Sequence, residues 1–175
     1  MIEVDYHLKN AYFLDVFTKT FIKTELWIKG TQIIFRGRSK QYLAKETFDL
    51  GGRYVAPGLI DAHMHIESSL LTPSELGKIL VKHGVTRAFA DPHEIASVSG
   101  ESGIHYMIEE ARQAPIHFHY MLPSSVPAAP FERTGAILDA ESLRTFYQYP
   151  EVHGLAEVMD YPAVANENPE KILIC

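Results

Sequence analysis

The spacing of apolar and polar positions changes at about residue 57 of this 175-residue chain. Beyond that point, short apolar runs with the length of buried strands alternate with stripes of apolar residues at helical spacing. Strands that alternate with helices form right-handed strand-helix-strand units around a parallel sheet. The pattern therefore predicts an α/β fold for this part of the chain. The predicted strands are residues 59–62, 85–90, 116–121 and 152–156.

Three helices are predicted between these strands. Thr72 is a capping residue followed by a proline at the first helical position, and Glu75 lies three residues after the cap. This combination is a strong helix-start signal, and Gly84 marks the end of the same helix. A second apolar stripe, at residues 104–111, follows a glycine-bounded loop, and Asp139 begins the third helix.

Residues 1–56 have a different pattern. β-branched and aromatic residues are dense there, and the turn residues Lys29-Gly30 and Gly37 divide them into short runs. Such runs are typical of short antiparallel strands. We therefore predict a small β layer at residues 1–56, ahead of a main domain at residues 57–175.

Each predicted strand of the main domain is followed by a polar cluster at its carboxyl end. In an α/β barrel this is the end where catalytic residues assemble, so residues far apart in sequence would converge on one site. Taken singly, Asp91 could be an ordinary loop residue and Glu94 a helix-entry residue. The clusters are His63 and His65, then Asp91, His93 and Glu94, then Ser124 and Ser125, then Glu157.

The two histidines of the first cluster are separated by one residue. In an extended backbone alternate side chains share a face, so His63 and His65 point to the same side and can share a divalent metal. Imidazole suits zinc, iron, copper or nickel, and nearby carboxylates extend the choice to manganese. Alternatively, the histidines only cap the strand and bond to backbone. The convergence of four polar clusters favours the metal site.

Composition narrows the classes of function. The net charge of −6 argues against a large phosphate-binding surface and so against a nucleic-acid partner. Cys175 is the only cysteine, which excludes an intrachain disulfide and a cysteine-based zinc site. Residues 1–5 lack the basic start of a signal peptide, and no apolar stretch approaches the length of a membrane span. We predict a cytoplasmic protein without a membrane partner.

Other histidines are predicted to be structural. His83, His105 and His153 lie within helical or strand patterns and are expected to be packing or surface residues. His117 and His119 also form a His-x-His motif, but they lie inside the third predicted strand rather than beyond it. We therefore interpret that pair as structural too.

Four motifs carry a family resemblance. Residues 57–65 resemble the metal-binding signature of the amidohydrolase superfamily. Their continuation through residues 66–69, with residues 90–95, 123–128 and 154–159, resembles the adenine deaminases of that superfamily, and the likeness runs through essentially all of the chain. One departure is Ser125, where the family pattern often has cysteine.

The resemblance implies a fold and an activity. The fold is a β-sandwich-type segment followed by a (β/α)8 TIM-like barrel, of which this chain holds the first half. The activity is the hydrolysis of adenine to hypoxanthine and ammonia at a dinuclear centre of manganese or iron, with zinc as a further candidate. A metal there would lower the pKa of a water molecule toward neutrality, and a carboxylate would carry the proton to the departing ammonia.

The resemblance also implies roles for single residues. His63 and His65 match the first-strand metal ligands, and Glu157 matches a bridging carboxylate that also acts in catalysis. In the motif at residues 91–94 we expect His93 to bind metal and Asp91 and Glu94 to be catalytic. The other deaminase design pairs His-x-Glu with Pro-Cys-x-x-Cys. His65-Ile66-Glu67 matches its first half, but the single terminal cysteine excludes the second.

A complete barrel has eight strands and typically about 250 residues, whereas only four strands are predicted here. We expect the site to be completed by self-association into a homo-oligomer or by a complementary C-terminal chain, because unpaired sheet edges invite association. The alternative is a truncated, non-catalytic relative that acts as an oligomer or binding module. Ammonia release from adenine distinguishes the two hypotheses.

Overall fold

The computed structural model describes residues 1–169. The chain forms two compact units. The first unit is Met1–Pro57 and the second begins at Gly58. Within the described range, no helix combines the length and the hydropathy needed to cross a membrane.

The first unit is a mixed five-stranded sheet. Its strands run in the order β3-β2-β1-β4, with β5 also paired to β1. β1 pairs antiparallel with β2 but parallel with β4 and β5, so the predicted all-antiparallel arrangement is wrong in this respect. The small core of the unit is formed by Ala11, Phe13 and Leu26. The strands are β1 (Ile2–Asp15), β2 (Thr20–Lys29), β3 (Gln32–Arg36), β4 (Tyr42–Asp49) and β5 (Tyr54–Val55).

Strand β1 is longer than the apolar density of its sequence suggests. It starts at Ile2, nine residues before the dense apolar and aromatic run that begins at Ala11. Apolar and polar residues alternate through this first part, and Val4 is almost completely buried while Glu3 is exposed. Alternation with period two is the pattern of a strand buried on one face. The polar residues at every second position lower the density of apolar residues, so a criterion based on apolar density alone did not indicate a strand here.

The second unit contains a four-stranded parallel sheet in the order β6-β7-β8-β9. This confirms the predicted barrel portion of strand-helix units. The strands are β6 (Leu59–Met64), β7 (Val85–Ala90), β8 (His117–Leu122) and β9 (Val152–Leu155). The helices are α1 (Pro73–Leu80), α2 (His93–Ala111), α3 (Ala140–Arg144) and α4 (Tyr161–Ala165).

Helix α1 is built as its local sequence predicts. The hydroxyl of Thr72 accepts a hydrogen bond from the backbone N–H of Glu75, with Pro73 at the first helical position. The helix tightens into a 3-10 turn at Val81–His83 and ends at Gly84, whose φ of 84° is in the left-handed region that glycine adopts without strain.

Helix α2 differs from the prediction. We expected a loop before residue 104, but the helix starts at His93 and continues to Ala111 across a kink at Gly100. Its first turn is stabilised from a distance, because the Glu67 carboxylate accepts a hydrogen bond from the backbone N–H of Ile95 at 3.1 Å. A partner 28 residues away is not visible in a local sequence pattern.

The core of the second unit lies on one face of the sheet. Helix α2 contributes Ile104 and Ile108, which are part of one buried cluster with Phe118 and Leu122 of β8. The hydroxyl of Tyr120 donates a hydrogen bond to the carbonyl of a residue in α2 at 2.8 Å. This packing fixes the strands whose carboxyl ends carry the polar clusters.

Candidate metal centre

The carboxyl ends of β6, β7 and β9 bring four side chains together. His65, Asp91, His93 and Glu157 each offer one ligand atom, and these atoms all lie within 4.8 Å of one another. The strands run parallel and adjacent in the order in which they occur in the sequence, so their carboxyl ends meet at one edge of the sheet. The group contains two imidazoles and two carboxylates.

His65 has its ring nitrogens assigned by its neighbours. Nδ1 lies 3.2 Å from the backbone carbonyl oxygen of Asp91, which can only accept, so Nδ1 carries the proton and donates. Nε2 therefore keeps its lone pair, and it lies 3.8 Å from Oε1 of Glu157. A histidine held through one nitrogen by a carbonyl is the usual arrangement of a metal ligand, because the bond fixes the tautomer and the ring orientation.

Asp91 and His93 each carry one buried polar atom without a hydrogen bond among the described residues. Asp91 is 1% exposed, and its Oδ1 accepts from the backbone N–H of His93 at 3.1 Å. Its Oδ2 lies 3.2 Å from Nδ1 of His93, yet neither atom has a hydrogen bond within the described residues. Unsatisfied buried polar groups are rare and call for an explanation such as an ion. A cation bound by both atoms would satisfy them, so these residues fit a metal.

The electrostatics of the group favour positive charge. The neighbouring Asp91 carboxylate raises the pKa of the His93 imidazole above its usual value, against the opposing effect of burial. Burial disfavours the charged form of the neighbouring Glu67 carboxyl and raises its pKa, so the negative charge that acts on His93 comes mainly from Asp91. A site whose carboxylates hold a proton on a nearby imidazole attracts a divalent cation for the same electrostatic reason.

The other two predicted site residues, His63 and Glu94, lie outside the group of four. The His63 ring is exposed and meets the His65 ring edge-on, with their centroids 4.9 Å apart. Glu94 accepts a hydrogen bond from the hydroxyl of Ser68 at 3.1 Å.

Ser124 and Ser125 have roles that sequence reasoning did not assign. Both are almost completely buried. The Ser124 hydroxyl donates to the backbone carbonyl of Glu157 at 2.6 Å, and the Ser125 hydroxyl accepts from the backbone N–H of Asp160 at 3.1 Å. The pair thus holds the segment that carries Glu157. The available signal was their position at the end of β8, but nothing in the sequence identified their partners.

The most similar relatives include adenine deaminases. One from Leuconostoc mesenteroides subsp. mesenteroides is 62% identical over 97% of this chain, which corresponds to 31% of that protein. The adenine deaminase 1 of Oenococcus oeni is 61% identical over 97% of the chain and 31% of that protein. The chain therefore spans about a third of the length of these relatives, and it is similar to their N-terminal portion.

Solved structures with the same fold are more distant in sequence. A dihydroorotase superimposes with a TM-score of 0.55 over 96% of this chain and 48% of that chain, at 20% identity. The atrazine chlorohydrolase of Arthrobacter aurescens superimposes with a TM-score of 0.58 over 93% of this chain and 51% of that chain, at 16% identity. The profile of the amidohydrolase family matches residues 54–170, which contain the whole parallel sheet and all four gathered side chains. The chain belongs to the amidohydrolase family.

Proposed function

We propose that this chain forms the metal-binding part of an enzyme that hydrolyses adenine to hypoxanthine and ammonia. One observation carries the proposal: His65, Asp91, His93 and Glu157 converge, and two of their buried polar atoms make no hydrogen bond among the described residues. The 62% identity to an adenine deaminase over 97% of the chain supports adenine as the substrate. In this reaction the oxygen of water bonds to C6 of the purine, and the bond from C6 to the amino group breaks.

Within this proposal, a divalent metal would be held by His65, Asp91, His93 and Glu157, with His63 as a further ligand. The metal supplies Lewis-acid chemistry, lowering the pKa of the attacking water. The Asp91 carbonyl keeps His65 in the tautomer whose Nε2 can coordinate. The carboxylates of Asp91, Glu94 and Glu157 are the candidates to take a proton from water and pass it to the leaving ammonia.

We further propose manganese or iron as the metal, because a mixture of imidazole and carboxylate ligands suits both. Zinc fits the same donors. We also propose that the enzyme acts on a small purine in the cytoplasm and that its barrel is completed by a segment equivalent to the part of the relatives that this chain does not span. The supporting observation for the last point is that the chain spans 31% of the Leuconostoc relative.

The test is ammonia release from adenine by the manganese-loaded chain. It is measured for the chain alone and together with the part of the Leuconostoc mesenteroides protein that lies outside the matched region. We expect ammonia from the combined sample at least. The alternative, a non-catalytic relative, predicts none under either condition, and that result in a sample shown to have assembled would contradict the proposed activity.

A positioning role for Glu67 gives a separate prediction. Its carboxylate joins the segment after His65 to the first turn of the helix that carries His93. Glu67→Ala removes this link, so the affinity for manganese should fall by about 10- to 100-fold, the usual effect of losing an outer partner of metal ligands. Glu67→Gln keeps an oxygen acceptor for the Ile95 N–H and should retain most of the affinity.

The affinities for this comparison are measured by competition with a chromophoric chelator. Glu101→Ala, at an exposed position of the same helix, is the matched control and should bind like the wild type. Equal affinity of Glu67→Ala and the wild type would show that the link does not position the ligands.

A further inference from the structure

The face of the parallel sheet opposite helix α2 carries a connected polar group. Arg87 of β7, His119 of β8 and His153 of β9 lie side by side on three neighbouring strands. Nη1 of Arg87 is 3.0 Å from Nε2 of His119, and Nδ1 of His119 is 2.6 Å from Nε2 of His153. The ring of Phe89 stacks on His119 with the centroids 4.8 Å apart.

The hydrogen bonds of this group run in one direction. A guanidinium can only donate, so Nε2 of His119 must accept and its proton must lie on Nδ1. That proton is donated to Nε2 of His153, whose own proton then lies on Nδ1. Both imidazoles are neutral in this arrangement. The charge of Arg87 is therefore not shared by its neighbours, and the series of hydrogen bonds ends at His153.

No carboxylate balances this charge in the part of the chain that the structure describes. Arg87 donates a hydrogen bond to His119, and the ion pairs among the described residues of the second unit involve other side chains. Arg87 and His153 are exposed here, so water solvates them. Covering this face without an opposite charge would be unfavourable, because a desolvated cation needs a paired anion.

Two features indicate that the face is covered in the assembled protein. Parallel sheets occur almost only with both faces covered, and here one face is packed against α2 while the other is open. The outer edges of β6 and β9 also have no paired strand among the described residues. In the Leuconostoc mesenteroides relative, the part outside the matched region is more than twice as long as the matched region. That length is enough to cover the open face and to supply strands that pair with the outer edges of β6 and β9.

We propose that this open face binds a carboxylate-bearing segment equivalent to the part of the adenine deaminases that the chain does not span. One acidic side chain of that segment pairs with Arg87, the first residue in the series of hydrogen bonds from Arg87 through His119 to His153. This inference rests on the proposed function, which requires such a segment to complete the enzyme.

The test uses the whole chain co-expressed with the part of the Leuconostoc mesenteroides adenine deaminase outside the matched region. Dissociation constants of the two pieces are compared for the wild type, Arg87→Met and the exposed control Arg133→Met. We expect at least a tenfold loss of affinity for Arg87→Met and none for Arg133→Met. A carbodiimide is then applied to the assembled Arg87→Lys variant, since this reagent joins an amine directly to a carboxylate. Mass spectrometry identifies the linked residues.

A cross-link from the amine at position 87 to an aspartate or glutamate of the added segment is the expected result. Assembly with neither a cross-link nor a loss of affinity would overturn the pairing. Failure to assemble, or a cross-link between two copies of this chain, would overturn the proposed occupant. Ammonia release is measured separately on the assembled wild type, so an assembled but inactive sample contradicts the proposed function and leaves the pairing intact.

Discussion

Replacing His65 by alanine is expected to reduce the affinity for manganese by on the order of 100-fold or more. Losing only an outer partner of a metal ligand costs about 10- to 100-fold, and His65 is proposed as a ligand itself. Its Nε2 lone pair faces Glu157, while its other nitrogen is held by the Asp91 carbonyl. The substitution therefore removes one of the two imidazoles of the group of four and also releases the loop that carries the buried Asp91 carboxylate.

Bound metal is measured in parallel by chelator competition and by elemental analysis after gel filtration. His83→Ala is the matched control, because His83 is an exposed histidine at the end of the 3-10 turn after α1. It should bind manganese like the wild type. Full manganese occupancy and unchanged affinity in His65→Ala would remove His65 from the metal centre and would contradict the proposed ligand set.

Local signals in the sequence were enough to predict much of the second unit. The cap at Thr72 and the stop at Gly84 depend on neighbours within a few residues, and both are as predicted. The first turn of α2 is different, because a carboxylate from another loop satisfies the N–H of Ile95. Patterns of apolar residues carry no information about such a partner, so the prediction of a loop there was wrong.

The candidate site, too, could be predicted from the sequence only in part. That residues at the ends of successive strands converge follows from the parallel sheet, and the gathering of His65, Asp91, His93 and Glu157 needed no more than this rule. The roles of single atoms depend on geometry instead. Nothing in the sequence indicated that the carbonyl of Asp91 orients His65, or that Ser124 holds the backbone of Glu157. The assignment of His63 as a ligand stays a prediction.

The burial of Asp91 connects folding with the proposed chemistry. A carboxylate that is 1% exposed, with one oxygen lacking a hydrogen bond in the described residues, destabilises the folded state. A bound cation removes that cost, so metal binding and folding stability should be coupled. The group can consequently bind a metal, but it destabilises the folded protein when no metal is bound.

The largest effect on stability is expected for Phe146→Ala. Phe146 is completely buried in the main core cluster, and its ring lies 4.5 Å from that of His105. Removing a buried phenylalanine side chain typically destabilises a protein by about 3–5 kcal/mol, since the transfer free energy is lost and a cavity remains. The residue also accepts a backbone hydrogen bond from Tyr149 in the turn that leads into β9. The substitution keeps this carbonyl but removes the ring that packs beneath the turn, so it should loosen β9 and the segment after it that carries Glu157.

Urea unfolding followed by circular dichroism measures this change, and Tyr147→Ala is a matched control. Tyr147 is the next residue in the 3-10 turn Thr145–Gln148, which also contains Phe146, and it is aromatic too, but it is 54% exposed. Its replacement should change the free energy of unfolding by less than about 1 kcal/mol, as is usual at exposed positions. If the two variants unfold at the same urea concentration, Phe146 does not belong to the core. If Phe146→Ala is destabilised and also binds manganese more weakly at urea concentrations where it remains folded, the packing beneath β9 and the position of Glu157 are coupled.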